Sequence, residues 1–229
     1  MVKQDRGKRP DMLELNDVSF RYGRGADILR DVSFRLQRGA FSFLTGPSGA
    51  GKTTLLRLLF LALRPSDGCI RLFDEDVTRV LRSALPPLRR RVGVVFQEFR
   101  LLDHLTAFDN VALPLRVQGQ KPSSYTRDVM DLLDWVGLKK QAHVYPAVMS
   151  GGEKQRAAIA RAVIAKPELL LADEPTGNVD PVLARRLIHL FAELNRLGTT
   201  VLLATHDQGL FKQVRAPVLH LQDGTLRQL

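Results

Sequence analysis

Apolar and polar residues alternate through residues 13–36, first in LELNDVSFRY and then in VSFRL. A period of two predicts β structure with one buried face. FSFLTG at 41–46 is instead an unbroken apolar run ending in glycine, which predicts a buried strand feeding a loop. Residues 52–63 are apolar on nearly every side, so a helix there belongs in the core. GCIRLF and RVGVVF read as further strands. The character changes at 106–146, where helical patterns are interrupted by Gly119, Pro122 and Gly137, a candidate helical sub-lobe. From Gly151 onward the order is helix, strand (ELLLADE), helix (181–196), strand (TTVLLAT), helix, strand (PVLHLQ). That alternation predicts an α/β fold with a mostly parallel sheet and helices on both faces.

Composition narrows the class without choosing a function. The 229 residues are 45% hydrophobic, enough for one domain with a sub-lobe. The apolar stretch LLRLLFLAL is broken by Arg57 and falls short of the ~20 residues that a membrane-spanning helix needs. No apolar leader follows the charged start, and residues 1–10 read as a basic tail. Cys69 is the sole cysteine, so no internal disulfide is available and a buried strand position is expected for it. These features suggest a cytosolic protein. The formal charge of +10 admits nucleic acid, an anionic membrane surface or anionic ligands as partners. A run such as Arg89-Arg90-Arg91 reads equally well as a solvated face.

The chemistry begins at Gly46-Pro47-Ser48-Gly49-Ala50-Gly51-Lys52-Thr53, followed by Thr54. It fits the G-x-x-x-x-G-K-[ST] phosphate loop, with a strand before it and a helix after it. Glycines let successive N–H groups turn inward toward phosphate oxygens. Lys52 places charge on the β- and γ-phosphates, and the Thr53 hydroxyl is a ligand for Mg²⁺. A tight glycine turn alone would not need Lys followed by Thr. The complementary acids stand at the end of LLLADE. Asp173 is the expected metal carboxylate, and Glu174 the base that orients the attacking water.

A second anion-binding pattern lies in VMSGGEKQR. Ser150, Gly151, Gly152 and Glu153 open a helix whose free N–H groups and dipole favour phosphate. One subunit has no use for two such sites on one nucleotide. Two copies related by a two-fold axis do, if each nucleotide lies between the loop of one and the helix start of the other.

Taken in order, the phosphate loop, MSGGEKQR, LLLADEP, GNVD and ATHD resemble the ATP-binding-cassette (ABC) ATPases over nearly the whole chain. The resemblance implies a P-loop nucleotide-binding domain with a mostly parallel core sheet and an N-terminal antiparallel β subdomain. It implies a single domain at 11–229, with a helical sub-lobe at about 100–165 inserted in a RecA-like core. It assigns Gln97 as the glutamine that senses metal and attacking water, and His206 as the switch histidine at the γ-phosphate. Asp180 falls in the loop that communicates across the dimer, and Tyr22 becomes the aromatic that stacks on adenine. ATP and Mg²⁺ are the implied cofactors, the metal being held by Thr53, Gln97 and Asp173. Read without the family, Tyr22 is a strand-end aromatic, His206 a helix-start residue and Gln97 a surface amide. Two departures stand out: Met149 where leucine is common, and Glu153 where many members carry glutamine. A carboxylate beside phosphate is awkward unless it turns to Lys154, to solvent or to its own helix end.

The chain carries an engine and no load, so a partner is expected. No long coiled-coil insertion separates Gln97 from Ser150, which disfavours a DNA-associated ATPase and makes nucleic acid an unlikely partner. FQEFRLL, with FLTGPSGAGKTTLLRLL and LLLADEPTGNVD, is similar to the bacterial cell-division (FtsE) branch. That likeness implies an FtsX-like integral membrane partner docking near Phe99, Leu101 and Leu102, and a second copy in an ATP-sandwich homodimer. It also implies a position on the cytoplasmic face of the plasma membrane at the division site, against anionic lipid. The alternative load is a lipoprotein-release or macrolide-type export permease, and the remote alternative is a soluble DNA-associated ATPase.

Overall fold

Two long strands, β1 (Asp11–Arg21) and β2 (Asp27–Gln37), carry the alternation of residues 13–36. The computed structural model describes residues 11–177 and 179–229; the basic tail expected at 1–10 lies outside the described residues. After β3 (Phe41–Thr45) come α1 (Lys52–Leu59), β4 (Asp67–Leu72), β5 (Glu75–Asp76), α2 (Leu85–Arg90) and β6 (Val92–Val95). Then follow α3 (Ala107–Val117), α4 (Pro122–Trp135), α5 (Gly151–Val163), β7 (Leu169–Asp173) and α6 (Pro181–Arg196). β8 (Thr200–Ala204), α7 (Gln208–Phe211), β9 (Val218–Gln222) and β10 (Thr225–Gln228) complete the order. Among the described residues no helix is long and apolar enough to cross a membrane.

The strands form two sheets. One is antiparallel in the order β2-β1-β4-β5; the other has six strands in the order β10-β9-β3-β8-β7-β6. In the second, β9, β3, β8, β7 and β6 are parallel and only the edge strand β10 is antiparallel. Its central strands are buried on both faces, as a parallel sheet covered on both sides requires. Along β7, Leu169 and Leu171 join the core beneath the antiparallel sheet and α1. Leu170 and Ala172 join the opposite core with Phe43, Leu187 and Phe191. Each fully buried Leu or Phe of this kind contributes about 1.5–3 kcal/mol. A third cluster gathers Val111 and Leu115 of α3, Val129 and Leu133 of α4, and Ala157 and Ala160 of α5. Helix α5 therefore packs on two bodies at once, since its Ile159 and Val163 belong to the core behind the sheet.

Three local outcomes differ from the sequence expectation. The helix expected at 52–63 ends at Leu59, because Leu61 turns to φ 60° and the N–H groups of Ala62 and Leu63 close on the Arg57 carbonyl. Helix α2 was hidden by Pro86-Pro87, which suit the first turn of a helix, where N–H groups lack partners. Cys69 lies in β4 as expected but is half-buried.

Parallel β6, β7, β8 and β3 bring their C-terminal ends side by side. The loops after them, carrying Gln97, Glu174, His206 and the glycine-rich segment 46–51, meet at one edge, where open α/β sheets place ligands.

Candidate active site

The glycine-rich loop is shaped by backbone that side chains disfavour. Gly46, Gly49 and Gly51 have φ of 151°, 80° and 102°. Gly51 caps α1 without a side-chain bond, and no acid occupies the first turn. The N–H groups and positive dipole end of α1 therefore face the loop unopposed, which favours an anion. Lys52 Nζ donates to the carbonyls of Gly46 (2.8 Å) and Pro47 (3.1 Å), which hold the ammonium against the loop.

Across the site, the Thr53 hydroxyl donates to Asp173 Oδ2 at 2.7 Å, joining the start of α1 to the end of β7. Asp173 is only 5% exposed. Burial pushes its carboxyl above the usual range, with the neighbouring Glu174 charge adding to the effect and the Thr53 bond opposing it.

Glu174 sits in left-handed backbone at φ 47°, its N–H bonded to the Ala204 carbonyl of β8. Its Oε1 lies 2.8 Å from His206 Nδ1, and its Oε2 accepts from the Thr205 hydroxyl at 3.3 Å. The carboxylate is thereby oriented from two sides by the loop after β8. Glycine loop, Thr53, Thr54, Gln97, Asp173, Glu174 and His206 together line one cleft of about 640 Å³. Ile28 closes it on the side of the antiparallel sheet.

Other candidates stand outside this cleft. Ser150 caps α5: its hydroxyl accepts from the Glu153 N–H, and Glu153 Oε2 accepts from the Ser150 N–H (2.8 Å) and hydroxyl (2.9 Å). These bonds, the backbone one first, hold the Glu153 carboxyl below its usual range. The awkward acid is thus turned onto its own helix end in a capping box. Gly151 has open space where a Cβ would sit. Asp180 caps α6 through the N–H groups of Val182 and Leu183, both at 3.0 Å. Tyr22 is 46% exposed and meets Phe20 edge-to-face at 4.8 Å.

Sequence reasoning missed three side chains that hold the site in place. Asn110, fully buried, donates to the carbonyls of Leu102, Leu105 and Thr106 and accepts from the Leu102 N–H. Gln155 donates to the Pro175 carbonyl, next to Glu174, and Arg161 donates to the carbonyls of Phe99 and Arg100. The available signal was polarity out of place, an amide or guanidinium within an otherwise apolar helix pattern. Of the apolar residues after Gln97, Leu101 packs on the third cluster and Phe99 is half-buried, while Leu102 is 38% exposed. A neighbouring groove of about 460 Å³ is lined instead by Phe96, Arg100, Pro114, Val117 and Arg161, among others.

The sequence profile of the ABC transporter family matches residues 29–177. The cell division ATP-binding protein FtsE of Haemophilus influenzae is 46% identical over 217 residues, covering 94% of this chain and 100% of that protein. FtsE of Escherichia coli K12 is 46% identical, covering 94% and 97%, and that of Bacillus subtilis 38%, covering 94% of each. Among solved structures, the dimeric post-hydrolysis state of the ATP-binding cassette MJ0796, bound to ADP and Pi, superposes with a TM-score of 0.89. It is 30% identical and covers 95% of this chain and 98% of that one. A second dimeric structure of MJ0796, described as a bacterial ABC transporter cassette, has a TM-score of 0.89 at 31% identity, with the same coverage.

Proposed function

The chain belongs to the ABC transporter family of ATP-binding proteins, and on that premise we propose that it is the ATP-hydrolysing subunit of an FtsE–FtsX-type complex. In this reading ATP-driven dimerisation is passed through the membrane to control cell-wall hydrolysis during division. What supports the dimer is that the two anion-binding patterns of one chain do not share a cleft. The cleft holds loop, base and histidine, while Ser150 and Gly151 are not among the residues that line it, and among the described residues nothing lies within 4 Å of where a Gly151 Cβ would sit. Glycine at 151 answers to something that approaches from outside, and the γ-phosphate of a second copy's nucleotide fits that description.

Within one site the residues divide the work. The loop N–H groups and Lys52 hold the phosphates. Glu174, fixed by Thr205 and His206, takes a proton from water as the water oxygen bonds to the γ-phosphorus. The bond from that phosphorus to the β–γ bridging oxygen breaks, and ADP and phosphate leave. Asp180 meets the second copy, and Tyr22 stacks on the adenine ring.

Thr53, Gln97 and Asp173 offer hard oxygen donors to the same cleft, a set that would fit Mg²⁺ better than a softer ion. They are too few to enclose it, so oxygens from outside the chain would have to complete the set. The metal supplies charge neutralisation at the phosphates. Asp173 is in turn set up for a cation, because its ionised form is costly where it sits. Its folded-state pKa lies above the unfolded value, so stability falls as pH rises through that interval. At pH 7 Asp173→Asn, which keeps an oxygen for Thr53, is expected to raise Tm while abolishing turnover. Calorimetry and phosphate release check this, and an unchanged or lowered Tm would contradict the cost of burial.

The partner contacts are read from the stretch after Gln97. Exposed Leu102, with Phe99 and Leu101 beside it and the Phe96 groove adjoining, suits a short apolar helix from an FtsX-like protein. The charge of +10 suits an anionic membrane surface and supports a position at the cytoplasmic face of the membrane, and the likeness to FtsE proteins supports the division site. Residues 11–229 then act as one ATPase domain with a sub-lobe at about 100–165. The test is to trap Glu174→Gln with ATP in native membranes and identify what co-purifies in mild detergent. A four-helix membrane protein with division proteins is expected. A lipoprotein-release or efflux permease would keep the engine and replace its load.

A further inference from the structure

Helix α5 starts at Ser150 and grips two loops further along. Gln155 is fully buried and its Nε2 donates to the Pro175 carbonyl at 2.8 Å. Proline has no N–H, so that carbonyl is the only backbone hydrogen-bonding group on the residue following Glu174. Six residues later, Arg161 donates from Nη1 to the Arg100 carbonyl (2.6 Å) and from Nη2 to the Phe99 carbonyl (2.8 Å). Six residues of helix turn through about 600°, so the two side chains leave α5 roughly 120° apart. The helix runs between the loop of Glu174 and the loop of Gln97 and holds both.

Both loops need holding. Glu174, Phe99 and Arg100 have φ of 47°, 59° and 50°, left-handed backbone that costs a non-glycine residue about 1–2 kcal/mol. Such conformations persist only where the surroundings over-determine them. Gln155 also leaves its Oε1 without a partner among the described residues. An apolar residue would fill this place without that penalty, so the feature that the site uses is the donor.

We propose that Gln155 and Arg161 are positioning residues that lock the Glu174 and Gln97 loops of their own subunit to the helix whose start meets the other subunit's nucleotide. The inference rests on the split-site reading above. Along that rigid helix Gln155 stands about 8 Å and Arg161 about 16 Å from Ser150, so the start of the helix and the two loops move as one body.

Gln155→Leu keeps the volume, and it removes an unpaired acceptor together with the donor, so the fold is expected to persist. Its kcat should fall by about 10–100-fold, with KM for ATP within about twofold, and ATP should still drive dimers in the Glu174→Gln background. Arg161→Met should behave alike, and Arg161→Lys should recover only part, since one ammonium does not span two carbonyls as a guanidinium does. Mixed dimers, isolated through two different tags, separate this inference from its premise. Ser150→Arg should tolerate Lys52→Ala only on the opposite subunit, because both lesions then fall in one site. Gln155→Leu should tolerate Lys52→Ala only on the same subunit. Failure of the Ser150 pair overturns the split site. A working Ser150 pair with the Gln155 pattern reversed, or equal in both arrangements, overturns the positioning role. So does an unchanged kcat, or a loss that merely tracks a lowered Tm.

Discussion

Glu174→Gln is expected to bind ATP as tightly as the natural chain and to lose turnover by about 10²–10⁴-fold, the range that general-base catalysis commands. The substitution changes almost nothing else. The amide oxygen can replace one carboxylate oxygen, accepting from the Thr205 hydroxyl, while the amide NH2 takes the other position and donates to an unprotonated His206 Nδ1, so the side chain keeps its place. The left-handed backbone at 174 is as costly for glutamine as for glutamate, and its N–H bond to Ala204 is untouched. What disappears is the capacity to take a proton from water. Single-turnover phosphate release and equilibrium nucleotide binding separate the two steps. Turnover equal to that of the natural chain would mean that the base lies elsewhere, with His206 the next group to examine. A parallel loss of binding would mean that Glu174 supports the cleft rather than the chemistry. If turnover alone is lost, closed dimers should accumulate with ATP, and this is why the variant suits the capture of partners.

The site was legible in the sequence wherever its parts are contiguous. The loop from Gly46 to Thr53, the pair Asp173-Glu174 and the Ser150 helix start each combine residue type, spacing and a flanking element. What joins them was not legible. The Thr53–Asp173 and Glu174–His206 bonds depend on strand order, and β3, β8, β7 and β6 are neighbours in an order that the chain does not follow. Gln155 and Arg161 escaped because period-3.6 patterning marks a helix face and says nothing of which carbonyl a buried donor will meet. The same limit applied to Glu153, whose charge looked misplaced beside a phosphate site until its bonds to Ser150 accounted for it. Asp180, placed by the family resemblance in a loop toward a second copy, caps α6 within its own chain and is exposed. Boundaries failed for local reasons, such as the left-handed Leu61 that ends α1 early. Strand β10 could have been found, since Asp223-Gly224 is a hairpin signal and the two residues do connect β9 to β10.

Gly46→Ala should be the most damaging single change in the loop. An added Cβ at 46 would lie 2.0 Å from the backbone oxygen of Leu221 in β9, a group that cannot rotate away. Relief requires the loop to leave β9 or β9 to leave β3, and either movement redirects the N–H groups that face phosphate. Gly49→Ala provides the comparison. Gly49 has φ 80° and nothing within 4 Å of its absent Cβ, so alanine there pays about 1–2 kcal/mol for left-handed backbone and meets no obstacle. Both variants carry a conformational penalty; only Gly46→Ala adds a collision with the sheet. ATP affinity is therefore expected to fall about tenfold for Gly49→Ala and at least about a hundredfold for Gly46→Ala, the latter corresponding to roughly 3 kcal/mol. Titration of both proteins with a fluorescent nucleotide, alongside their melting curves, checks the ranking. Equal losses would mean that the loop can slide off Leu221 freely, and that the seat of the phosphate loop on β9 does not set its shape.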